Sequence, residues 1–305
     1  MILAPMQGLT EVLFRHVYEE CFPGAIPLAV SPFISLTHNL HFSTDNAQIR
    51  DVLPESNRGS IPVIPQLLGK EPEEFVFISN YLFDLGYPEV NWNIGCPMRK
   101  VTGKHRGCGI LPYPDEVRTL LDAVVPRLKG KLSVKTRIGL KDKDEIFHII
   151  PVLNNYPLAS VTVHPRLGRQ QYTGIPDLET FAEVLPLLKA PVIYNGDIRT
   201  AEDARIIRER FPQVADLMVG RGILYNPALP LEINGQPTVD TRHFVCRLME
   251  EIRTTLPTEE SIMRKTKEYW SLLWKSLPIS EMEARKVLRA QELTTVDNLI
   301  KEFIQ

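Results

Sequence analysis

The chain has 305 residues, of which 44% are hydrophobic and 24% are charged, and its formal net charge is −2. These values are typical of a globular protein with one extensive core, and they exclude a protein that is basic over its whole surface. No apolar run reaches the ~20 residues of a membrane span, and residues 1–5 lack the basic region of a signal peptide, so we expect no membrane partner.

The four cysteines, at positions 21, 96, 108 and 246, form no C-x-x-C pair. A chain of this size does not need disulfides for stability, so the cysteines indicate a reducing, cytoplasmic setting without a zinc site or another metal centre. A monomer is expected, since the sequence lacks a long exposed heptad pattern.

Short β-rich runs and helical patterns alternate along the first 222 residues. Strands are predicted at 2–6, 27–32, 61–68, 89–94, 132–138, 160–165, 191–195 and 216–219, and helices at 72–85, 115–128, 142–153, 178–188 and 201–210. Pro72 suits a first helical position, and Thr200 with Asp203 predicts a helix start. The signal is weakest at the second strand and in the poorly periodic stretch 33–60. Eight alternations predict an α/β fold, the (β/α)8 TIM barrel.

An open doubly wound sheet is the alternative fold, but it usually has fewer strands and a G-x-G-x-x-G turn, which the sequence lacks. Beyond residue 235 no β-rich run follows, and helices are predicted at 242–253, 262–277, 281–291 and 296–304. Ser280 and Glu283 form a capping box at one of these helix starts. We therefore predict a catalytic barrel at 1–235 and a small all-helical domain at 236–305.

A single thiol follows the fourth predicted strand, where a parallel barrel collects its functional groups. Gly95 and Pro97 end the strand, and Cys96 lies between them. Asn91 and Asn93 share one strand face just upstream. A lone cysteine is usually buried and inert, but a thiol beside two amides suits a heteroaromatic ring that is hydrogen-bonded and protonated.

Two glycine-containing strand ends, Asn195-Gly196-Asp197 and Gly220-Arg221-Gly222, predict a phosphate cradle, because glycine lets backbone N–H groups approach an anion. Lys135 in the fifth strand requires an anionic partner, which the pyrimidine edge of a reduced flavin would supply. His164, at the end of the sixth strand, is interpreted as a cofactor or phosphate contact. Basic segments at 99–106 and 261–290 are consistent with a solvated face or with a nucleic-acid contact.

These motifs resemble the tRNA-dihydrouridine synthase family of FMN-dependent enzymes. The matching segments are A-P-M-x-G at 4–8, Q-L-L-G at 66–69, N-x-N-x-G-C-P at 91–97, K-V at 100–101, V-K-T-R at 134–137, H-x-R at 164–166, N-G-D at 195–197 and V-G-R-G at 219–222. The sequence departs from the family pattern at Cys108, where a small residue is usual, and at His105-Arg106, which make the loop after Cys96 more basic.

The resemblance implies a function for each matching position. Cys96 is implied as the catalytic acid. FMN contacts are implied at Pro5, Met6, Gln7, Gln66, Lys135, His164, Asn195, Gly196, Asp197, Gly220 and Arg221. Asn93 is implied to contact the target uracil, Arg166 the RNA or the flipped nucleotide, and tRNA contacts are expected at Arg99, Lys100, Lys104, Arg264, Lys265 and Lys267.

The hypothesis that follows is reduction of a uridine C5=C6 bond in tRNA, in a loop such as the D-loop, with NADPH as the reductant of FMN and Cys96 as the proton donor. Two alternatives stay open. One is a flavin-dependent barrel enzyme that acts on a small unsaturated molecule, which would not need the basic helices. The other is a tRNA-binding protein without turnover, which would not need a flavin.

Overall fold

In a computed structural model of the chain, which describes residues 1–37, 43 and 46–304, eight parallel strands close into a barrel in chain order. The strands are β1 (Ile2–Leu3), β2 (Leu28–Ser35), β3 (Val63–Leu68), β4 (Glu89–Ile94), β5 (Lys131–Gly139), β6 (Val161–Leu167), β7 (Val192–Tyr194) and β8 (Asp216–Val219). Ile2 lies opposite Met218 and Leu3 opposite Val219, so β8 pairs with β1 and closes the ring. The predicted TIM barrel is confirmed.

The helices surround this barrel and continue beyond it. They are α1 (Val12–Cys21), α2 (Ala47–Arg50), α3 (Pro72–Asp84), α4 (Arg99–Thr102), α5 (Pro114–Val124), α6 (Glu145–Leu153), α7 (Leu178–Val184), α8 (Ala201–Arg210), α9 (Arg221–Tyr225), α10 (Leu229–Ile233), α11 (Arg242–Thr255), α12 (Glu259–Leu273), α13 (Glu281–Arg289) and α14 (Leu293–Ile304). Short 3-10 helices lie at Gly107–Ile110, Val125–Arg127, Gly168–Gln170, Leu185–Leu187 and Trp274–Ser276. None of the described helices has the length and hydropathy of a membrane-spanning segment.

The predicted helix starts are confirmed. Thr200 and Asp203 form a reciprocal capping box at the start of α8, and Ser280 and Glu283 form another at α13. Pro72 is the first residue of α3. The four helices predicted after residue 235 are present as α11 to α14.

The short helices α2, α4, α9 and α10 were not predicted, and β1, β2 and α1 also differ from the sequence prediction. β1 ends at Leu3 rather than at residue 6, and the chain then turns into a loop. β2 continues through Pro32 to Ser35, where proline is tolerated because the register with β3 shifts between Val30 and Phe33. α1 was not predicted. Part of the poorly periodic stretch 33–60, residues 38–42 and 44–45, lies outside the described residues.

An aromatic cluster joins the helices after residue 235 to the barrel. The Phe244 ring of α11 contacts the rings of Phe14 and Tyr18 in α1, each at a centroid distance of 5.7 Å. The Tyr269 ring of α12 stacks on Phe14 at 6.1 Å. All four side chains are fully buried. The barrel and the helical part therefore share one hydrophobic core, which fixes α12 beside the carboxyl end of β1.

Candidate active site

A cavity of about 500 Å³ opens at the carboxyl ends of the strands. It is lined by residues within or directly after seven of the strands, all except β3, and by Leu272 of α12. Of the predicted site residues, the structure brings the following to its wall: Pro5, Met6, Gln7, Asn93, Cys96, Lys135, His164, Asn195, Gly196, Asp197, Gly220 and Arg221. Their common position follows from the topology, because the carboxyl ends of parallel barrel strands lie on one face.

The Cys96 thiol is held at the cavity wall by the amide of Asn93. Asn93 Oδ1 accepts hydrogen bonds from the backbone N–H groups of Gly95, at 3.0 Å, and of Cys96, at 2.9 Å. The carbonyl of Cys96 accepts one from the N–H of Cys108 at 3.0 Å. Burial raises the pKa of the Cys96 thiol, although Arg137 and Lys135 act in the opposite direction. The thiol is therefore protonated at neutral pH and can donate a proton.

A chain of buried amides orients Asn93 from below. Its Nδ2 donates to Gln66 Oε1 at 2.7 Å, and Gln66 Nε2 donates to Asn91 Oδ1 at 2.8 Å. Asn91 Nδ2 then donates to the Ser133 hydroxyl at 2.8 Å. Gln66 is fully buried and is not one of the lining residues. Its cofactor contact stays a prediction, whereas its hydrogen bonds make it a support for Asn93.

Two cations of β5, Lys135 and Arg137, lie beside the thiol in the cavity wall. Burial, followed by repulsion from Arg137, lowers the pKa of Lys135 to about 7. No carboxylate among the described residues forms an ion pair with Lys135. Arg137 donates to the carbonyls of Gly95, at 2.9 Å, and Leu167, at 3.1 Å, and is almost fully buried. The wall beside Cys96 is therefore suited to an anionic group.

Three arginines converge on Asp197 at the predicted phosphate cradle. Its carboxylate accepts from Arg166 at 2.8 and 2.6 Å, from Arg221 at 3.0 Å and from Arg199 at 3.3 Å. Burial alone would raise the pKa of Asp197, but the hydrogen bonds and charge of Arg166, with those of Arg221 and Arg199, hold it below its usual value. One carboxylate facing three guanidinium groups leaves excess positive charge for an anion.

The cradle includes a glycine, Gly220, at which a side chain would be crowded. A Cβ at Gly220 would approach the Ala4 Cβ and the Met6 sulfur to 3.3 Å each, so β8 and the loop after β1 are in near contact there. Gly220 is directly followed by α9, whose first residue is Arg221. A backbone without a side chain, next to a guanidinium, is an arrangement that admits a phosphate group.

Arg166 is held by protein partners behind the cavity wall. Its side chain is fully buried, and Nη2 donates to the carbonyl of Gly174 at 2.7 Å as well as to Asp197. Nη1 lies 3.2 Å from His164 Nε2, which accepts from it. In this structure the Arg166 guanidinium is bonded to protein groups, and its contact to RNA or the flipped nucleotide stays a prediction.

His164 is a neutral side chain in the cavity wall. Burial lowers its pKa well below the usual value, and the charges of Arg137, Lys135 and Arg166 lower it further. Because Nε2 accepts from Arg166, the ring hydrogen is on Nδ1. His164 therefore lines the cavity as an uncharged ring with its donor at Nδ1.

The predicted RNA-binding cations divide into two groups. Arg99, Lys100 and Lys104 are exposed just after Cys96 and form no ion pair among the described residues; we call these three the basic rim. Arg264 of α12 is also exposed. Lys267 instead donates to the carbonyl of Ala290, and Lys265 contacts the loop after β1. These two side chains are bound to protein.

Several lining residues were absent from the sequence prediction of the site. Arg137 and Arg199 add positive charge, and Leu272 adds an apolar contact from α12. Tyr172 lies in the loop after β6, with Arg137 and Arg221 at 5.5 and 5.1 Å from its ring centroid. An aromatic residue in a polar loop after a barrel strand was the available signal for Tyr172, whereas Leu272 is brought in only by tertiary packing.

Comparisons with known proteins agree with this geometry. A family model described as dihydrouridine synthase matches residues 2–299. The chain is 29% identical over 230 residues to tRNA-dihydrouridine synthase B of Pasteurella multocida, covering 75% of this chain and 67% of that protein. It is 30% identical over 235 residues to tRNA-dihydrouridine(16) synthase of Pseudomonas putida, covering 76% of this chain and 72% of that protein.

Solved structures of low sequence identity share the fold. The old yellow enzyme homologue of Zymomonas mobilis superposes with a TM-score of 0.57 at 14% identity, covering 86% of this chain and 94% of that chain. Morphinone reductase superposes with a TM-score of 0.52 at 13% identity, covering 86% and 88%.

Proposed function

This chain belongs to the dihydrouridine synthase family, and from that membership we propose that it reduces the C5=C6 bond of a uridine in the D-loop of tRNA to 5,6-dihydrouridine, using FMN and NADPH. The observation that carries the proposal is a protonated thiol, Cys96, in the same cavity as an arginine-rich cradle. Flavin-dependent reduction of a base requires a proton donor beside the base and a site that holds the phosphate of the flavin cofactor.

The residues of the cavity fit FMN. A volume of about 500 Å³ is within the range of roughly 300–1,000 Å³ for pockets that hold cofactor-sized molecules. The phosphate would be held by Arg221 and by the backbone at Gly220 and Gly196. Pro5, Met6 and Gln7 offer a wall for the flat ring, and Lys135, which has no ion-pair partner in the described chain, would neutralise the pyrimidine edge.

When bound and reduced, FMN supplies the hydride that the uracil receives at C6. The protein supplies the proton: the Cys96 S–H bond breaks, and the hydrogen is transferred to C5. The thiolate that remains is stabilised by the positive charges of Arg137 and Lys135, and it takes up a proton from solvent to complete the cycle.

Asn93 is suited to orient the uracil. Its Oδ1 is fixed by the turn before Cys96, and one Nδ2 hydrogen is bonded to Gln66, so the second Nδ2 hydrogen has a fixed direction. A planar amide in a fixed orientation can donate to a uracil carbonyl without losing side-chain entropy on binding. Asn93 therefore sets the distance between the base and the Cys96 thiol.

The tRNA partner is supported by exposed positive charge on segments that also contribute lining residues to the cavity. The basic rim directly follows Cys96, and Arg264 lies on α12, from which Leu272 reaches the cavity. Contacts to backbone phosphates would offset the few kcal/mol needed to flip the uridine out of its stack. We propose that the helical region 236–305 contributes to tRNA binding and that the protein acts as a cytoplasmic monomer; all four cysteines are free thiols.

Replacing Cys96 with alanine tests the function. We expect the Cys96→Ala variant to keep the flavin absorption bands and to lose the ability to add two hydrogens to uridine in tRNA, measured by mass spectrometry of digested tRNA. Cys108→Ala is the matched control, because Cys108 is buried nearby and does not line the cavity. It should retain turnover.

Two results would refute the proposal. A wild-type protein that binds tRNA but no flavin would indicate a binding protein. A flavoprotein that leaves the tRNA mass unchanged would indicate a reductase of a small unsaturated molecule.

A further inference from the structure

Three cations lie within four residues of α12, and their surroundings differ. The Arg264 side chain is exposed, Lys267 donates to the carbonyl of Ala290 inside the helical region, and Lys265 Nζ donates to the carbonyl of Gly8 at 2.7 Å. Lys265 also pairs with Glu11 at 3.1 Å and with Glu268 at 3.4 Å. Only 17% of its side chain is exposed. One run of basic sequence therefore contains a residue that binds the loop after β1.

That loop, residues 4–11, forms the cavity wall at Pro5, Met6 and Gln7. Thr10 organises it from inside: its hydroxyl accepts from the N–H of Met6 at 2.8 Å and donates to the carbonyl of Ala4 at 3.0 Å. The N–H groups of Leu9 and Thr10 both donate to the carbonyl of Met6. The conformation of the wall therefore depends on how the second half of the loop is held.

Three consecutive carbonyls of the loop are bonded to side chains from outside it. Gly8 accepts from Lys265, Leu9 accepts from the Tyr269 hydroxyl at 2.8 Å, and Thr10 accepts from Arg15 at 2.7 Å. Two of the three donors belong to α12. Gly8 has a φ of +80°, and a Cβ there would lie 2.6 Å from Glu268, so the helix and the loop are in close contact.

The helix face explains this contact. Residues 265, 268, 269 and 272 are spaced by three and four, so they lie on one side of α12. The first three contact the loop, and Leu272 lines the cavity itself. This face closes the side of the cavity next to β1, while Arg264 lies off it.

We propose that Lys265 and Tyr269 are positioning residues for the flavin: they fix the loop after β1 so that Pro5–Gln7 form a preorganised wall, and the helical region thereby supports cofactor binding as well as RNA binding. This inference rests on the proposed function for the identity of the cofactor. It assigns Lys265 to the loop rather than to a tRNA phosphate. A loop that is already ordered before the cofactor binds loses little conformational entropy on binding, so the cofactor binds more tightly.

The test compares three variants of the full chain, Lys265→Met, Arg264→Met and Lys267→Met. FMN affinity is measured by quenching of flavin fluorescence on titration with apoprotein, and tRNA affinity is measured as a function of salt. We expect FMN to bind about tenfold more weakly to Lys265→Met, since a charge-assisted hydrogen bond is lost, with the salt dependence of tRNA binding unchanged. Arg264→Met should keep its FMN affinity and lower the salt slope by about 1.

Lys267→Met controls for stability, because it removes a bond within the helical region and leaves the loop contacts in place. It should keep the FMN affinity even if its melting temperature falls. Tyr269→Phe retains the ring packed on Phe14 and removes only the hydroxyl. It therefore tests the hydrogen bond from Tyr269 to the Leu9 carbonyl in a variant whose core is unchanged. Lys265→Arg, which retains the charge and the donor, should restore FMN binding.

Hydrogen exchange of the apoprotein separates this proposal from the proposed function. In Lys265→Met we expect faster exchange at the amides of Met6, Leu9 and Thr10, and wild-type rates in Arg264→Met. An FMN affinity or a loop exchange rate equal to that of Arg264→Met would overturn the proposal. If wild-type protein bound no FMN, the proposed function would fail, and the exchange rates would still decide whether Lys265 holds the loop.

Discussion

Replacing Lys135 with methionine should stabilise the apoprotein and weaken flavin binding. The lysine is half-buried at the cavity wall without an ion-pair partner in the described chain, and its pKa falls from 10.5 to about 7. At about 1.4 kcal/mol per pKa unit, this shift is equivalent to roughly 5 kcal/mol of destabilisation as an upper limit. Part of the side chain faces the cavity, where water screens the charge, so we expect a gain of about 1–2 kcal/mol.

The pH dependence of this gain has a definite sign. Below pH 7 the amine is protonated in both folded and unfolded chains, so the folded state bears the full cost of the buried charge. Between pH 7 and 10.5 the folded protein has lost the proton and the unfolded chain still binds it, so wild-type stability rises. The difference in free energy of unfolding between Lys135→Met and wild type should therefore be largest at or below pH 7 and should fall to nearly zero towards pH 10.5.

The measurement is urea unfolding of flavin-free protein between pH 6 and 10, in buffers without phosphate, which would bind the cradle. Lys131→Met is the control, since Lys131 is an exposed lysine at the other end of β5 and its loss should change stability by less than about 0.5 kcal/mol. In the holoprotein, losing the charge that favours the reduced, anionic flavin by about 1.4 kcal/mol should lower its midpoint potential by about 30 mV. A Lys135→Met apoprotein less stable than wild type at pH 7 would refute the reasoning.

Three further predictions follow from the same contacts. Gln66→Ala removes one hydrogen bond from each of the buried amides of Asn91 and Asn93 and should cost about 1–3 kcal/mol of stability and at least about tenfold in single-turnover reduction of tRNA, because Asn93 loses its support; unchanged turnover would contradict this. Asp197→Asn should destabilise the protein by about 1–3 kcal/mol above pH 4, and acid titration should show the difference from wild type disappearing as the pH falls further, since the aspartate has a lowered pKa in the folded state. Changing all three residues of the basic rim to glutamine should lower the salt slope of tRNA binding by up to about 3 with the flavin spectrum unchanged, and an equal slope would show that the rim does not contact phosphates.

The barrel was predictable because its signals are local. Most strands are short runs rich in apolar and β-branched residues with a glycine or proline close to an end, and capping boxes such as Thr200 with Asp203 mark helix starts within four residues. α1 was missed although Phe14, Val17 and Tyr18 follow a helical spacing, since the segment lacks a side-chain cap at Glu11. Local sequence patterns therefore predicted the order of the strands and helices better than the residues at which each element begins and ends.

The partners of the charged residues could not be predicted in the same way. Lys265 is 257 residues from Gly8, and Arg166 is 31 residues from Asp197, so neither contact leaves a trace in the local sequence. A basic run looks the same whether its side chains bind RNA, a carbonyl or a carboxylate. Cys96 was predictable because its position at a strand end, and not its distant partners, indicates its environment.

The aromatic contacts of Phe14 and Tyr18 in α1 with Phe244 and Tyr269 limit where the chain can be truncated or joined to part of a relative. A truncation before α11 would leave two aromatic side chains of α1 in water and invite aggregation. A chimera that exchanges the last four helices for those of a relative would have to exchange the matching surface of α1 as well. A change in the last four helices is thus tied to the surface of α1.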